Sequence, residues 1–91
     1  MQKIRTTVQI AGKDYTIASY DSEEYVNRVA AHVNRSMEEL AAATKLPTAQ
    51  LAVLAAVNAT DDMLKSRDEN RRLRQRIEAL EARLEGADGN A

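Results

Sequence analysis

LAVLAAVNATDD, residues 51–62, opens on an unbroken apolar run from Leu51 to Val57; Asn58 then interrupts it and Asp61–Asp62 close it. A run this short does not cross a bilayer, which takes about 20 apolar residues on a helix. Coiled as a helix it is apolar all round, and such a helix has to be covered on more than one side. A small chain has little to cover it with. The stretch therefore predicts two partners: its own subunit on one side and the same segment of a second chain on the other. Ala52, Ala55 and Ala56 let backbones approach closely, Leu51, Leu54 and Val57 supply area, and Asn58 reads as a polar pin where head becomes stalk.

Composition points the same way. The chain has 91 residues, with no Trp, Phe or Cys and three Tyr. Much of its 44% hydrophobic content is Ala, which brings little area. Small scaffolds usually need a disulfide, a metal or a partner chain. Without Cys there is no disulfide, and a single His argues against a zinc site. Oligomerisation remains. A net charge of −1, with 30% charged residues of both signs, argues against a dedicated nucleic-acid binder. No stretch is long and apolar enough for membrane insertion. The start, MQKIRTTVQI, lacks the apolar block of a signal peptide, so a cytoplasmic location is expected.

Upstream of the run, KIRTTVQI (3–10) alternates, with Ile4, Thr6, Val8 and Ile10 on one face and Lys3, Arg5, Thr7 and Gln9 on the other. AGKD (11–14) supplies a turn around Gly12, and YTIA (15–18) returns with Tyr15 and Ile17 on one face, which predicts a β-hairpin. Asp21, followed three residues later by Glu24, resembles a capping box. Val26, Val29, Ala30, Val33, Met37, Leu40 and Ala41 then form one stripe of a helix over about 22–44, with Arg28, His32, Arg35 and Glu39 facing water. Pro47 separates this helix from a second one beginning near 47 or 48. Neither Pro nor Gly occurs again before Gly86, so the second helix reaches on the order of 55 Å. That is too long for a globule of this size, and its far half is expected to project. The fold class is α+β: a small head of a β-hairpin plus helix, then one long helix whose C-terminal part forms a coiled coil, in an obligate oligomer. The expected divisions are a head over 1–62, a stalk over 63–86 and a disordered tail over 87–91.

Leu73, Ile77, Leu80 and Leu84 step by four, three and four, an a/d seam with Ile77 and Leu84 at a. Carried backward, the frame places Asn70 at a, Ser66 at d and Met63 at a, so a buried Asn would set register. In a parallel pair Glu69 meets Arg74 and Arg76 meets Glu81, both attractive. Two heptads are marginal alone, so a four-helix arrangement of two such pairs also fits.

Chemical motifs are few. His32 sits alone on the polar face of its helix. Glu23–Glu24 and Asp61–Asp62 are adjacent, and neighbours on a helix point about 100° apart, so neither pair converges on a substrate. Gly12–Lys13 lacks the spacing of a phosphate loop. NRRLRQR (70–76) lies inside the seam rather than ahead of it, which opposes a basic-zipper reading. An enzyme, a cofactor and a metal are not implied.

VQIAGKDYTI (8–17), DSEEYVNRVAAHVN (21–34) and LAVLAAVNATDDML (51–64), in that order and spacing, resemble the ZapA family of bacterial cell-division proteins. The resemblance covers about 4–66; the stalk beyond is similar only in being a short coiled coil. It implies a non-enzymatic protein that associates with FtsZ, the tubulin-like division GTPase. It further implies dimers, often dimers of dimers, that bundle FtsZ protofilaments at the division site and support Z-ring assembly and septation. The short stalk leaves homodimer and homotetramer both open. FtsZ is acidic, so a basic patch on the head is implied. Lys13 and Lys45 match basic positions of the family; Lys3 and Arg5 are candidates from their face of the first strand; Thr16 stands where some relatives are basic. From the apolar run and the a/d seam, the expected oligomer interface comprises Leu51, Leu54, Val57, Asn58, Met63, Asn70, Leu73, Ile77, Leu80 and Leu84. The alternative is a generic coiled-coil adaptor that binds another protein through its head.

Overall fold

A computed structural model describes residues 2–89, and it contains a hairpin followed by two helices. Strands β1 (Ile4–Ile10) and β2 (Lys13–Ser19) pair antiparallel, with Thr6 opposite Ile17, Val8 opposite Tyr15 and Ile10 opposite Lys13. Ala11 and Gly12 close the hairpin, both with positive φ, 53° and 82°. Two successive left-handed residues are the signature of the I′ turn, whose twist matches that of the flanking strands. Gly12 takes its angle freely. Ala11 does not, and a side chain held there costs about 1–2 kcal/mol.

Helix α1 (Glu23–Ala43) begins on Ser22, extended at φ −66° and ψ 156°, whose Oγ accepts from the Tyr25 backbone N–H at 3.2 Å. The cap is thus Ser22, not Asp21. Asp21 instead donates its backbone N–H to Ser19 Oγ. The shift of one residue places Tyr25, not Glu24, at the third helical position, so no capping box forms; Glu23 and Glu24 still complement the dipole in the first turn. The helix ends at Thr44, which returns to extended backbone and donates both its N–H and its Oγ1 hydroxyl to the Leu40 carbonyl, each at 2.9 Å. Helix α2 (Thr48–Gly89) starts directly after Pro47, whose carbonyl accepts from Gln50 and Leu51. It passes through Gly86 and continues over 87–89, part of the expected disordered tail; residues 90 and 91 lie outside the described residues. A solvated glycine costs a helix only about 1 kcal/mol, too little to stop it.

The chain forms two compact units, the first ending at Val57 and the second beginning at Asn58, inside the expected 1–62 head. In the first, β1 packs against α1 and two small clusters form the core. Val8, Val26 and Ala30 are joined by Ile10 and Ile17; Met37, Leu51 and Ala55 are joined by Ile10, Val33 and Leu40. Ile10 belongs to both and so ties the hairpin to both ends of the core.

Thr6 is the one polar residue in this core, 4% exposed, and its Oγ1 has no hydrogen-bond partner. A buried hydroxyl left unpaired costs about 1–3 kcal/mol. Thr6→Val keeps the shape and removes that cost. A rise in thermal midpoint of about 4–8 °C per kcal/mol, at fixed protein concentration, is the expected result; a lower midpoint would show that the hydroxyl is satisfied.

Candidate functional site: exposed apolar stripes and a pinned turn

On α2, Leu51 and Ala55 face the core, and Leu54 is half-buried. Leu51 was an expected interface residue; at 6% exposure, packed in the cluster with Met37, it is a core residue of its own subunit. The other side of the same turns is bare: Ala52, Val53, Ala56 and Val57 are exposed, Val57 at 58% and Val53 at 63%. An apolar run that covers every side of a helix gives no phase, and the structure supplies it. Val53 was not picked out from the sequence. It precedes Val57 by four residues, on the side of the helix that the apolar run by itself does not single out.

In the second unit every residue from Asn58 to Ala87 is exposed. Leu73, Ile77, Leu80 and Leu84 remain 46–67% exposed, and Met63 and Leu64 43% and 51%. Asn58 and Asn70 are exposed as well. Among the described residues nothing covers this stripe, and a lone helix draws little stability from propensity in water. Local ion pairs add little: Lys65–Asp61 at 2.8 Å, Arg71–Asp68 at 3.0 Å and Arg72–Glu69 at 3.8 Å are all solvent-facing, and exposed pairs are worth about 0.2–1 kcal/mol. The Asp61 carboxylate, hydrogen-bonded to Nζ, holds the Lys65 ammonium above its ordinary pKa. A raised lysine pKa stabilises below the unfolded value and loses its effect only as pH rises through the folded one, so this pair is intact at neutral pH. Glu69 already faces Arg72 in its own helix, while Arg74, Arg76 and Glu81 form no ion pair among the described residues.

The basic candidates are all exposed and do not share one face. Arg5 lies opposite Ala18 on the outer face near the open end of the hairpin; Lys13 lies opposite Ile10, on the core side, at the turn. Lys3 places its ammonium 5.7 Å from the Tyr20 ring centroid, a contact worth about 0.5–1 kcal/mol at an exposed site. Lys45 sits between the two helices. The first unit also leaves Ile4, Tyr15, Tyr25 and Val29 exposed, with the Arg28 guanidinium 5.3 Å from the Tyr25 ring.

One contact was not anticipated. Asn34, on α1, reaches the hairpin: its Nδ2 donates to the Gln9 carbonyl at 2.7 Å and its Oδ1 accepts from the Ala11 N–H at 3.0 Å. The signal was present, since Asn34 follows Ala30 by four residues and precedes Met37 by three, a polar residue on an apolar stripe. Beside it opens a shallow groove of about 360 Å³ between the turn, α1 and the start of α2, with Glu38 as its charged lining residue. Among the described residues no group of three or more His, Asp or Glu is placed to hold a metal ion, and no single helix is long and apolar enough to cross a membrane.

Residues 6–89 match the family model described as Cell division protein ZapA. A Cell division protein ZapA from Halalkalibacterium halodurans is 45% identical over 91 residues, covering 99% of this chain and 93% of the relative. One from Geobacillus kaustophilus is 40% identical over 76 residues, covering 82% and 84%. Among solved structures, a ZapA mutant dimer from Geobacillus stearothermophilus superposes with a TM-score of 0.73 at 37% identity, covering 86% of this chain and 92% of that one.

Proposed function

The chain belongs to the ZapA family of cell division proteins, and on that premise we propose that it is a non-enzymatic, cytoplasmic crosslinker of FtsZ filaments at the division site. The observation that carries the reading is the uncovered stripe Leu73, Ile77, Leu80 and Leu84. Helices presenting such a stripe associate, and association gives one body at least two heads. Two heads bind neighbouring filaments, and the repeated sites along each filament multiply weak contacts into avidity. The stripe supports a pair of parallel helices; Met63, Leu64, Val53 and Val57 offer further area for the same pair or for a second one.

The partner contact is electrostatic in this reading. Polymerised FtsZ is an acidic surface, and exposed Lys13 and Lys45 supply complementary charge. Purified protein is expected to co-sediment with polymerised FtsZ and to thicken its bundles at low salt; a protein that stays in the supernatant there refutes the reading. Reversing both charges, with Lys13→Glu and Lys45→Glu, is expected to reduce co-sedimentation several-fold while leaving the mass in solution unchanged. A change in mass would assign those lysines to assembly instead.

A further inference from the structure

The hairpin turn is held in an unfavourable state by a residue from another element. Ala11 has φ 53°, a region side chains avoid, and Gly12 has φ 82°. Both hydrogen bonds of the Asn34 carboxamide go to this loop, one on each side of Ile10: Nδ2 to the Gln9 carbonyl and Oδ1 from the Ala11 N–H. A carboxamide is the one neutral side chain that donates and accepts through adjacent atoms in one plane. Aspartate in its place would accept from Ala11 but leave Gln9 unserved; leucine would serve neither. The residue that follows the turn is Lys13. Its backbone closes the hairpin opposite Ile10, so the turn's conformation decides where its ammonium emerges.

We propose that Asn34 is a positioning residue for partner binding, its carboxamide locking the Ala11–Gly12 turn in the conformation that presents Lys13. This rests on the reading that Lys13 contacts an acidic filament. Strain at an exposed turn persists only where the surroundings over-determine it; here the paired strands close the loop at Ile10 and Lys13, and Asn34 adds the two hydrogen bonds from α1. A lysine on a loosened turn samples many positions and loses part of its binding to ordering. The same lysine on a pinned turn is already placed. Asn34 thus affects binding through Lys13 and touches no partner itself.

The test uses full-length Asn34→Ala, Lys13→Ala, the double variant, and Asn34→Ala combined with Ala11→Asn. Asn-Gly favours the I′ turn without outside help, so the last variant restores the turn by a separate route. Two measurements are made on each: hydrogen exchange of the Ala11 amide, and affinity for polymerised FtsZ by co-sedimentation. Asn34→Ala is expected to speed exchange at Ala11 and weaken binding by roughly two- to fivefold, the range of an exposed charge contact. The double variant should bind no more weakly than Lys13→Ala alone, and Ala11→Asn should restore binding to Asn34→Ala. A merely structural role predicts additive losses and a parallel fall in thermal midpoint. Unchanged exchange at Ala11 overturns the clamp whatever FtsZ does. Faster exchange with additive losses overturns the coupling to Lys13. Faster exchange with no effect of Lys13→Ala overturns the proposal by removing the Lys13 reading on which it rests, and leaves a different signature.

Discussion

Leu80→Asp is expected to dissociate the assembly and abolish FtsZ bundling while leaving the hairpin and α1 folded. Leu80 sits inside the stripe, 46% exposed in the single chain, flanked by Ile77 and Leu84. Burying a leucine side chain is worth about 1.5–3 kcal/mol. With about half of each side chain left to bury, a symmetric pair loses roughly 1.5–3 kcal/mol, before the cost of a carboxylate in an apolar seam is added. At about 1.4 kcal/mol per tenfold, the lost apolar burial alone raises the dissociation constant by about one to two orders of magnitude, and the carboxylate raises it further. Ala82→Asp is the control. It introduces the same charge two residues on, away from the stripe, and costs only the modest helix-propensity difference of about 0.7 kcal/mol or less. Light scattering at one micromolar concentration should show a lower mass for Leu80→Asp and the original mass for Ala82→Asp. Equal masses for the two variants would remove the stripe from the interface and take the crosslinking mechanism with it.

Much of this molecule can be read from period alone, and each departure has its own physical cause. The hairpin follows from alternation in KIRTTVQI and from Gly12, and the register places Thr6, Val8, Tyr15 and Ile17 as alternation requires. Helix α1 follows from its three- and four-residue steps; Val26, Ala30 and Met37 are the buried ones. Its cap shifted by one because Asp21 and Ser22 are both able to cap, and backbone geometry rather than residue type selects between them. The run Leu51–Val57 could not be phased, since apolar residues at every angle give no direction; hence Leu51 read as interface and Val53 was passed over. The placement of the basic candidates was not legible for another reason. Charge is a property of composition, whereas a patch depends on which face and which end of the hairpin each residue occupies. The Asn34 bridge spans two elements: its place on the apolar stripe marks it as facing the core, but no local pattern encodes which turn, more than twenty positions earlier in the chain, it reaches.

Leu51→Asp should unfold the first unit, whereas Val57→Asp should leave its fold intact and weaken only association, although only five residues of one helix separate them. Leu51 is 6% exposed, against Met37 and Ala55, with Ile10, Val33 and Leu40 alongside. Truncating such a leucine to alanine costs about 2–5 kcal/mol, and placing a carboxylate against this apolar cluster costs more. Small domains hold only about 5–15 kcal/mol in total, and this core, with two alanines among its six buried apolar residues, is a small one. Val57 is 58% exposed within the chain, so an aspartate there stays solvated until a second copy covers it. Folding and association are linked in an oligomer, and a melting curve at one concentration would confuse them. Concentration separates the two cases. Mass action returns Val57→Asp towards the original midpoint as protein is added, because its folded chain is sound and only the partner is missing. No amount of protein rescues Leu51→Asp, because the defect lies inside each chain. Circular dichroism melts over a hundredfold range of concentration, read beside the mass in solution, distinguish them. A Leu51→Asp variant that melts as the original does would mean that the leucine is not in the core. A Val57→Asp variant with unchanged mass throughout would confine the interface to the stripe beyond Asn58.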